Sequence, residues 1–426
     1  MHWGFPLSIS ILFWSFIGIV RYFVDEKFKK KKKINRKKLK GMLSRVAICV
    51  PAHNEELVIE ETINSLKRLV SIDQIYVVSD GSTDKTAEIV RFAGCNVLEL
   101  TPGRGKAAAL EDLIKHFNLL GYPKTKGKLT ALHRPFRFVL IADADTIFDR
   151  NFLKLLLPCF ENKNVVAATG YTSTKWKKHT KPQRKMYFIS YRHRLYRVLQ
   201  ALLMYGQTWG VTSVNPVIPG FASMYRTSAL KKLKIDIPGL AIEDFNLAFQ
   251  VHKKKLGLHA YAPKAIAISQ DPGNLKDYWK QLRRWNLGFY QTIKYWKIWP
   301  SFFWLSMGIL SLEVILSAIF ILLLPIIIFF ASSIYFATAL PSWISGFGEI
   351  INKYYLTLLD IFVLVFLFDY IITLVVALKD KKYIMAFYGL GYPFMRYVDA
   401  IILLTSIPRA FLIKSTGRWE SPTRRR

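Results

Sequence analysis

The chain is short of acid and has almost no cysteine. Across 426 residues, Asp and Glu number 29 against 61 Lys and Arg, a net charge of +32, and only Cys49, Cys95 and Cys159 carry thiols. So few cysteines, none in a paired ligand spacing, exclude a disulfide scaffold and a cysteine zinc site. They are read as reduced and structural. No internal repeat occurs, the one low-complexity stretch is a lysine run, and no regulatory domain is recognisable after the apolar C-terminal third. The first apolar run lacks the small-residue cleavage pattern of a signal peptide. What is abundant is apolar: 52% of residues are hydrophobic and the mean hydropathy is +0.20, more than an ordinary soluble enzyme carries.

The excess of cation calls for an anionic partner, whether nucleic acid, lipid headgroups or phosphate-bearing substrates. Apolar runs decide among these. Trp3 to Val24 is long enough to cross a bilayer, so residues 1–24 are read as a transmembrane anchor. Lys27 to Lys40, within a basic linker over 25–44, follows it directly. The positive-inside rule then puts the next domain in the cytoplasm, with the linker on anionic lipid and not on nucleic acid. Residues 45–273 are soluble in character, with short β-branched runs at Val46 to Val50, Ile75 to Ser79 and Phe138 to Ile141 separated by helical patterns. That alternation predicts an α/β domain with a mostly parallel sheet and helices on both faces, its ligands at the carboxyl ends of the strands.

Asn274 is a plausible N-cap for an amphipathic helix over 274–299, expected to lie in the membrane interface. Residues 300–413 form the C-terminal membrane region, with spans from Phe302 to Phe330 and from Tyr355 to Leu378. Tyr383 to Ile413, broken by Gly389, Gly391 and Pro393, is read as a re-entrant hairpin or one kinked span. The hairpin is favoured because it keeps the basic tail 414–426 inside. The expectation is a multi-pass cell-membrane protein with a cytoplasmic catalytic domain. Glu313, Asp360, Asp369 and Asp399 fall in or near the apolar segments, where acids either face a polar cavity or are paired, Arg396 and Asp399 being an obvious helical pair.

The chemistry-bearing residues sit after the strand runs. Pro51-Ala52-His53-Asn54-Glu55-Glu56 ends the first, offering backbone N–H groups and a carboxylate where a nucleotide can lie. Ser79-Asp80-Gly81-Ser82-Thr83-Asp84 ends the second, with Asp84 read as a helix cap. Pro102-Gly103-Arg104-Gly105-Lys106 opens a helix and combines glycines, cations and a helix N-terminus, an anion site with Lys106 as the phosphate contact. Ala142-Asp143-Ala144-Asp145 ends the third run, where alternate strand positions would project both carboxylates together onto Mg²⁺ or Mn²⁺ bridging a diphosphate. Gly220-Phe221-Ala222 and Ile242-Glu243-Asp244 follow, then Gln281-Leu282-Arg283-Arg284-Trp285, whose first, fourth and fifth members share a helix face. A carboxylate must take the proton of an acceptor hydroxyl, and Asp244 is the candidate, with Glu243 beside it.

In this order the motifs resemble those of processive family 2 membrane glycosyltransferases, the group of cellulose, chitin, hyaluronan and poly-N-acetylglucosamine synthases. The resemblance covers nearly the whole chain from Arg45 and implies a GT-A-type domain joined to transmembrane and interfacial helices. It also implies an inverting transfer from a UDP-sugar to a growing glycan that the protein passes across the membrane. It assigns Ala52, Glu55, Asp80, Lys106, Asp143, Gln281 and Arg284 to the donor, with Asp80 on the base. Asp143 and Asp145 go to the metal, and Gly220 and Trp285 to the acceptor. Ile242 stands where the family usually has threonine, which matters little if the aspartate is the base. The tail Gly417-Arg418-Trp419-Glu420-Ser421-Pro422-Thr423-Arg424 is similar to that of poly-N-acetylglucosamine synthases and makes UDP-N-acetylglucosamine the leading donor, ahead of UDP-glucose. Trp419 and Arg424 are expected to close over bound donor. Accessory subunits are compatible with this reading, and single transfer to a lipid acceptor is the alternative.

Overall fold

The computed structural model describes residues 9–28, 35–121, 135–176, 184–210, 212–336, 338–354, 357, 360, 362–413 and 415. One sheet is built from β1 (Val46–Ala52), β2 (Ile75–Asp80), β3 (Asn96–Leu100), β4 (Phe138–Ala142), β5 (Ile147–Phe148), β6 (Val165–Thr174), β7 (Ala222–Arg226) and β8 (Leu258–Ser269). The strand order is 3-2-1-4-7-6-8-5. β3, β2, β1 and β4 run parallel, as do β6 and β8, whereas β7 is antiparallel to both β4 and β6, and β5 to β8. The sheet expected to be mostly parallel is therefore mixed, with a reversed strand in its interior. The physical reason is the route into β7: the chain enters at the carboxyl end of β4, where Ala142 pairs with Ala222, so the loop before β7 lies on the ligand-binding edge.

The helices that bear on the site are α1 (Ile9–Phe28), α2 (Ile59–Lys67), α3 (Lys106–His116), α4 (Arg184–Leu199), α5 (Glu243–Lys253), α6 (Leu275–Trp296), α7 (Phe302–Ser333), α8 (Phe368–Lys379) and α9 (Tyr392–Leu412). Every residue of β1 is buried, because helices cover both faces. Val46, Ile48 and Val50 pack with Ile59, Ile63 and Leu66 of α2. Ala47 and Cys49 face the other way, into a second core with Leu110 and Leu113 of α3 and Leu247 and Val251 of α5. The period-two alternation of a strand sorts the sequence into these two cores.

Asn274 caps α6 as its sequence suggests, its side chain accepting from Asp277 N at 2.8 Å. Phe302–Phe336 is the one helix among the described residues long and apolar enough, by length and composition, to cross a membrane. Within the expected second span, residues 355–356, 358–359 and 361 lie outside the described residues. Its described part is a π-helical turn, Phe362–Leu367, running into α8. Over 383–413 the break falls at Leu390-Gly391, between a short helix, Ile384–Gly389, and the uninterrupted 21 residues of α9.

Each of the four acids of this region has a hydrogen-bond or ion-pair partner. Asp369 sits between Arg194 at 2.5 Å and Arg396 at 3.0 Å. Asp399 accepts from the hydroxyls of Tyr191 (2.7 Å) and Tyr278 (2.6 Å). Glu313 accepts from Ser10 N at 3.0 Å in the first turn of α1, and Asp360 accepts from Thr357. Arg396 thus meets Asp369 on another helix. Desolvation makes an unpaired acid costly among apolar helices, so α4 supplies the arginine and tyrosine that offset it.

Candidate active site

The turns after β1 and β2 are stitched to each other. Asn54 accepts Thr83 N at 2.8 Å through its side chain, while Glu55 N donates to Thr86 Oγ1 at 2.8 Å. Asp84 accepts Glu56 N at 3.0 Å and Thr86 N at 3.0 Å, so it caps the helix Thr86–Phe92 as expected. Ala52 and Glu55 are buried here at the end of β1.

Asp80 closes the next step. Its Oδ1 accepts Arg104 N and its Oδ2 accepts Gly105 N, both at 2.7 Å. The glycines permit this contact, since a Cβ on Gly81 would stand 2.7 Å from Gly103 N. Asp80, read from the sequence as a contact to the base, is thus wholly buried and holds the glycine-rich loop. That clamp sets Lys106 at the first residue of α3, on the carboxyl edge of the sheet.

Lys106 is the centre of the site. Its Nζ lies 2.8 Å from Asp143 Oδ1 and 2.7 Å from Glu243 Oε1. Glu243 is 5% exposed and Asp244 follows it in the first turn of α5, with Asp244 Oδ2 accepting Gly220 N at 3.1 Å. Burial, and then the Glu243 charge, push the Asp244 carboxyl up to about 7 against the opposing pull of Lys106. Burial by itself would lower Lys106, yet Asp143, Glu243 and Asp244 outweigh it and hold the ammonium well above its ordinary value. One cation thus balances three carboxylates.

Asp143 and Asp145, expected to project together, have different neighbours. The strand ends at Ala142, and Thr146 N bonds Asp143 O at 3.2 Å in a turn, so the period-two rule no longer applies. Asp143 reaches Lys106. Asp145, 6% exposed, lies close enough to Tyr196 and Asp271 to raise both. No group of three or more His, Cys, Asp or Glu side chains able to hold a metal ion occurs among the described residues. Two carboxylates on one turn still suit Mg²⁺ or Mn²⁺, which take many of their ligands from substrate phosphates and water.

The remaining candidate residues, Gln281, Arg284 and Trp285, lie on α6. Gln281 accepts from Arg192 Nη2, and the Trp285 ring lies 4.6 Å from the Arg192 guanidinium carbon. Arg284 Nε is buried with no hydrogen-bond partner among the described residues, a donor available to an anion. Arg192 and Asp271 are the residues that sequence reasoning missed. The usable signal was charge: α4 carries several arginines and no acid, while the later apolar segments carry acids. Trp419 and Arg424 lie outside the described residues.

Gly220 sits against the Lys106 cluster. A Cβ there would stand 3.1 Å from Glu243 Oε1 and 3.2 Å from Lys106 Nζ. Gly220→Ala is therefore expected to displace the Lys106–Glu243 pair and lower the transfer rate by roughly ten- to a hundredfold, with little change in melting temperature. Steady-state rates and a thermal scan of the same preparation check this.

Residues 47–234 match the family described as Glycosyl transferase family 2. Over 440 residues, 99% of this chain and 97% of theirs, the sequence is 24% identical to a poly-β-1,6-N-acetyl-D-glucosamine synthase of Staphylococcus epidermidis. A Staphylococcus aureus protein of the same description is 24% identical over 298 residues, 68% of this chain and 65% of its own. Among solved structures, a mannosyltransferase from Pyrobaculum calidifontis in complex with GDP-Man and Mn²⁺ is similar in fold, with a TM-score of 0.51 over 94% of this chain and 97% of that one at 15% identity.

Proposed function

We propose that this glycosyltransferase, which carries a family 2 catalytic domain of GT-A type, polymerises N-acetylglucosamine from UDP-N-acetylglucosamine on the cytoplasmic side of a membrane and passes the product outward. Polysaccharide synthesis is the class that its full-length relatives support. The observation that carries the finer reading is the Lys106 cluster. An ammonium for the diphosphate and a buried carboxyl for the acceptor proton meet on one sheet edge.

In the proposed step the acceptor hydroxyl oxygen bonds the donor sugar's C1 as the C1–O bond to the diphosphate breaks, inverting the anomeric centre. UDP leaves with the bonding electron pair, and Asp244 takes the acceptor proton. Lys106 and Arg284 hold the departing diphosphate, and Trp285 stacks on the acceptor sugar. Asp143 and Asp145 would hold the divalent cation, which adds charge neutralisation at the leaving group.

The membrane reading is supported by the length of the Phe302–Phe336 helix and by apolar side chains left facing outward on α1, such as Ile9, Phe16 and Phe23. Product sizing tests the polymer reading. Radiolabelled UDP-N-acetylglucosamine and Mg²⁺ or Mn²⁺ should give long chains beside unused acceptor at early times. A singly glycosylated lipid as the sole product would overturn polymerisation and establish the lipid acceptor.

A further inference from the structure

Arg192 lies on α4, and its side chain is entirely buried. Its Nη2 donates to Gln281 Oε1, and its Nε stands 3.7 Å from Asp271 Oδ1. The guanidinium carbon is 4.6 Å from the Trp285 ring centre, 4.9 Å from that of Tyr278 and 5.8 Å from that of Tyr196. Its Nε and Nη1 make no hydrogen bond among the described residues. Desolvation disfavours a cation held this way, and the Tyr196 and Tyr278 rings with the Asp271 and Asp399 carboxylates outweigh it and keep the guanidinium charged. A neutral side chain of similar volume would fill the same space at lower cost, so packing alone does not account for it.

Its contacts supply the account. Gln281 and Trp285 are four residues apart and share one face of α6, and Arg192 engages both at once. The planar fork fixes the Gln281 amide by a hydrogen bond while its flat face covers one side of the Trp285 indole. The ring also packs against two apolar clusters and is only half-buried, so part of its surface remains for a sugar. Having no exposed surface, Arg192 cannot touch an acceptor itself and acts through these two side chains.

We propose that Arg192 is the positioning residue of the acceptor subsite, holding the Trp285 ring and the Gln281 amide in the orientation that receives the glycan end. This rests on the proposed reading of Trp285 as the acceptor platform. The helix that carries Arg192 is fixed from behind: Arg194 reaches Asp369 of α8, Tyr191 reaches Asp399 of α9, and Arg197 reaches Asp380 at 2.6 Å. The orientation of the acceptor platform is therefore set jointly by α6 and by the C-terminal helices. Lys106 and Asp143, the proposed diphosphate and metal contacts, are not among the partners of Arg192, but Gln281, which the resemblance gives to the donor, is, so donor binding should respond to Arg192 by a smaller factor than acceptor binding.

The test uses the full-length enzyme with UDP-N-acetylglucosamine and a β-1,6-linked N-acetylglucosamine tetrasaccharide as the acceptor probe. Arg192→Met should raise the KM for the tetrasaccharide by about tenfold or more. The donor KM, read from UDP release to water without acceptor, should rise by a clearly smaller factor. Arg192→Lys, which keeps the cation but loses the fork, should fall between the two. Equal changes in donor and acceptor KM, or an unchanged acceptor KM, would overturn the proposal. If Arg192→Met does not fold, a double-mutant cycle of Arg192→Lys with Gln281→Glu decides: the effects on acceptor KM should be non-additive, and strict additivity refutes the coupling. Failure of the wild-type enzyme to elongate the probe while still releasing UDP would instead strike the acceptor assignment on which the proposal rests.

Discussion

Asp244→Asn is expected to lower turnover at saturating donor by roughly a hundred- to ten-thousandfold, the usual cost of losing a general base, while leaving donor affinity nearly intact. The carboxyl lies in the first turn of α5, facing Gly220 and not the Asp143 turn, so the amide should preserve the contact to Gly220 N. Its buried position also gives a pH signature. With the carboxyl raised to about 7, the base form is scarce below that pH and dominant above it. The wild-type kcat/KM should thus climb as pH rises through about 7, and that limb should vanish in Asp244→Asn. Calorimetric binding of UDP and sugar transfer, measured side by side with Asp145→Asn, separates the roles: the Asp145 variant should weaken donor and metal binding first. Near-wild-type turnover in Asp244→Asn would transfer the role to Glu243. That carboxylate is the weaker candidate, being ion-paired to Lys106 at 2.7 Å and only 5% exposed.

Lys106→Met should be nearly as damaging by a different route. It keeps the length of the side chain and removes the one cation that, among the described residues, faces Asp143, Glu243 and Asp244. Removing a preorganised charge aimed at the departing diphosphate costs about 3–4 kcal/mol in the transition state. A loss of 3 kcal/mol in transition-state stabilisation is roughly a hundredfold in rate, so kcat/KM should fall by at least about that factor. The carboxylates respond by binding protons more tightly, so the activity limb that begins near 7 should move to higher pH. Donor affinity should fall with it, since the ammonium is the proposed diphosphate contact. Unchanged UDP binding together with an unmoved pH limb would show that Lys106 only fills space.

The donor half of the site was legible because its residues are local in sequence. Strand runs at Val46, Ile75 and Phe138 each end in a polar turn, and a parallel sheet brings such ends to one edge whatever the loop lengths. Lys106 was readable as an anion contact from the glycine-rich loop and helix start, and Asp84 as a cap from its place before Thr86. Two sets of contacts were not legible. Asp80 was given the base because its motif suggests it, but the carboxylate answers two unpaired backbone N–H groups of a loop more than twenty residues away. Asp143 and Asp145 were given a shared direction by a strand rule that ceases at Ala142.

What the sequence determined by itself is what repeats locally: the apolar runs, the strand and helix alternation, the cap at Asn274, and the set of residues able to do the chemistry. What the tertiary structure decided is which charges meet. Arg192 reaches Gln281, Arg194 reaches Asp369 and Lys106 reaches Glu243 across separations of 89, 175 and 137 positions. No period links such residues. Their pairing follows from desolvation, which penalises each buried charge until the fold supplies its counterpart, and that penalty depends on the whole packed chain.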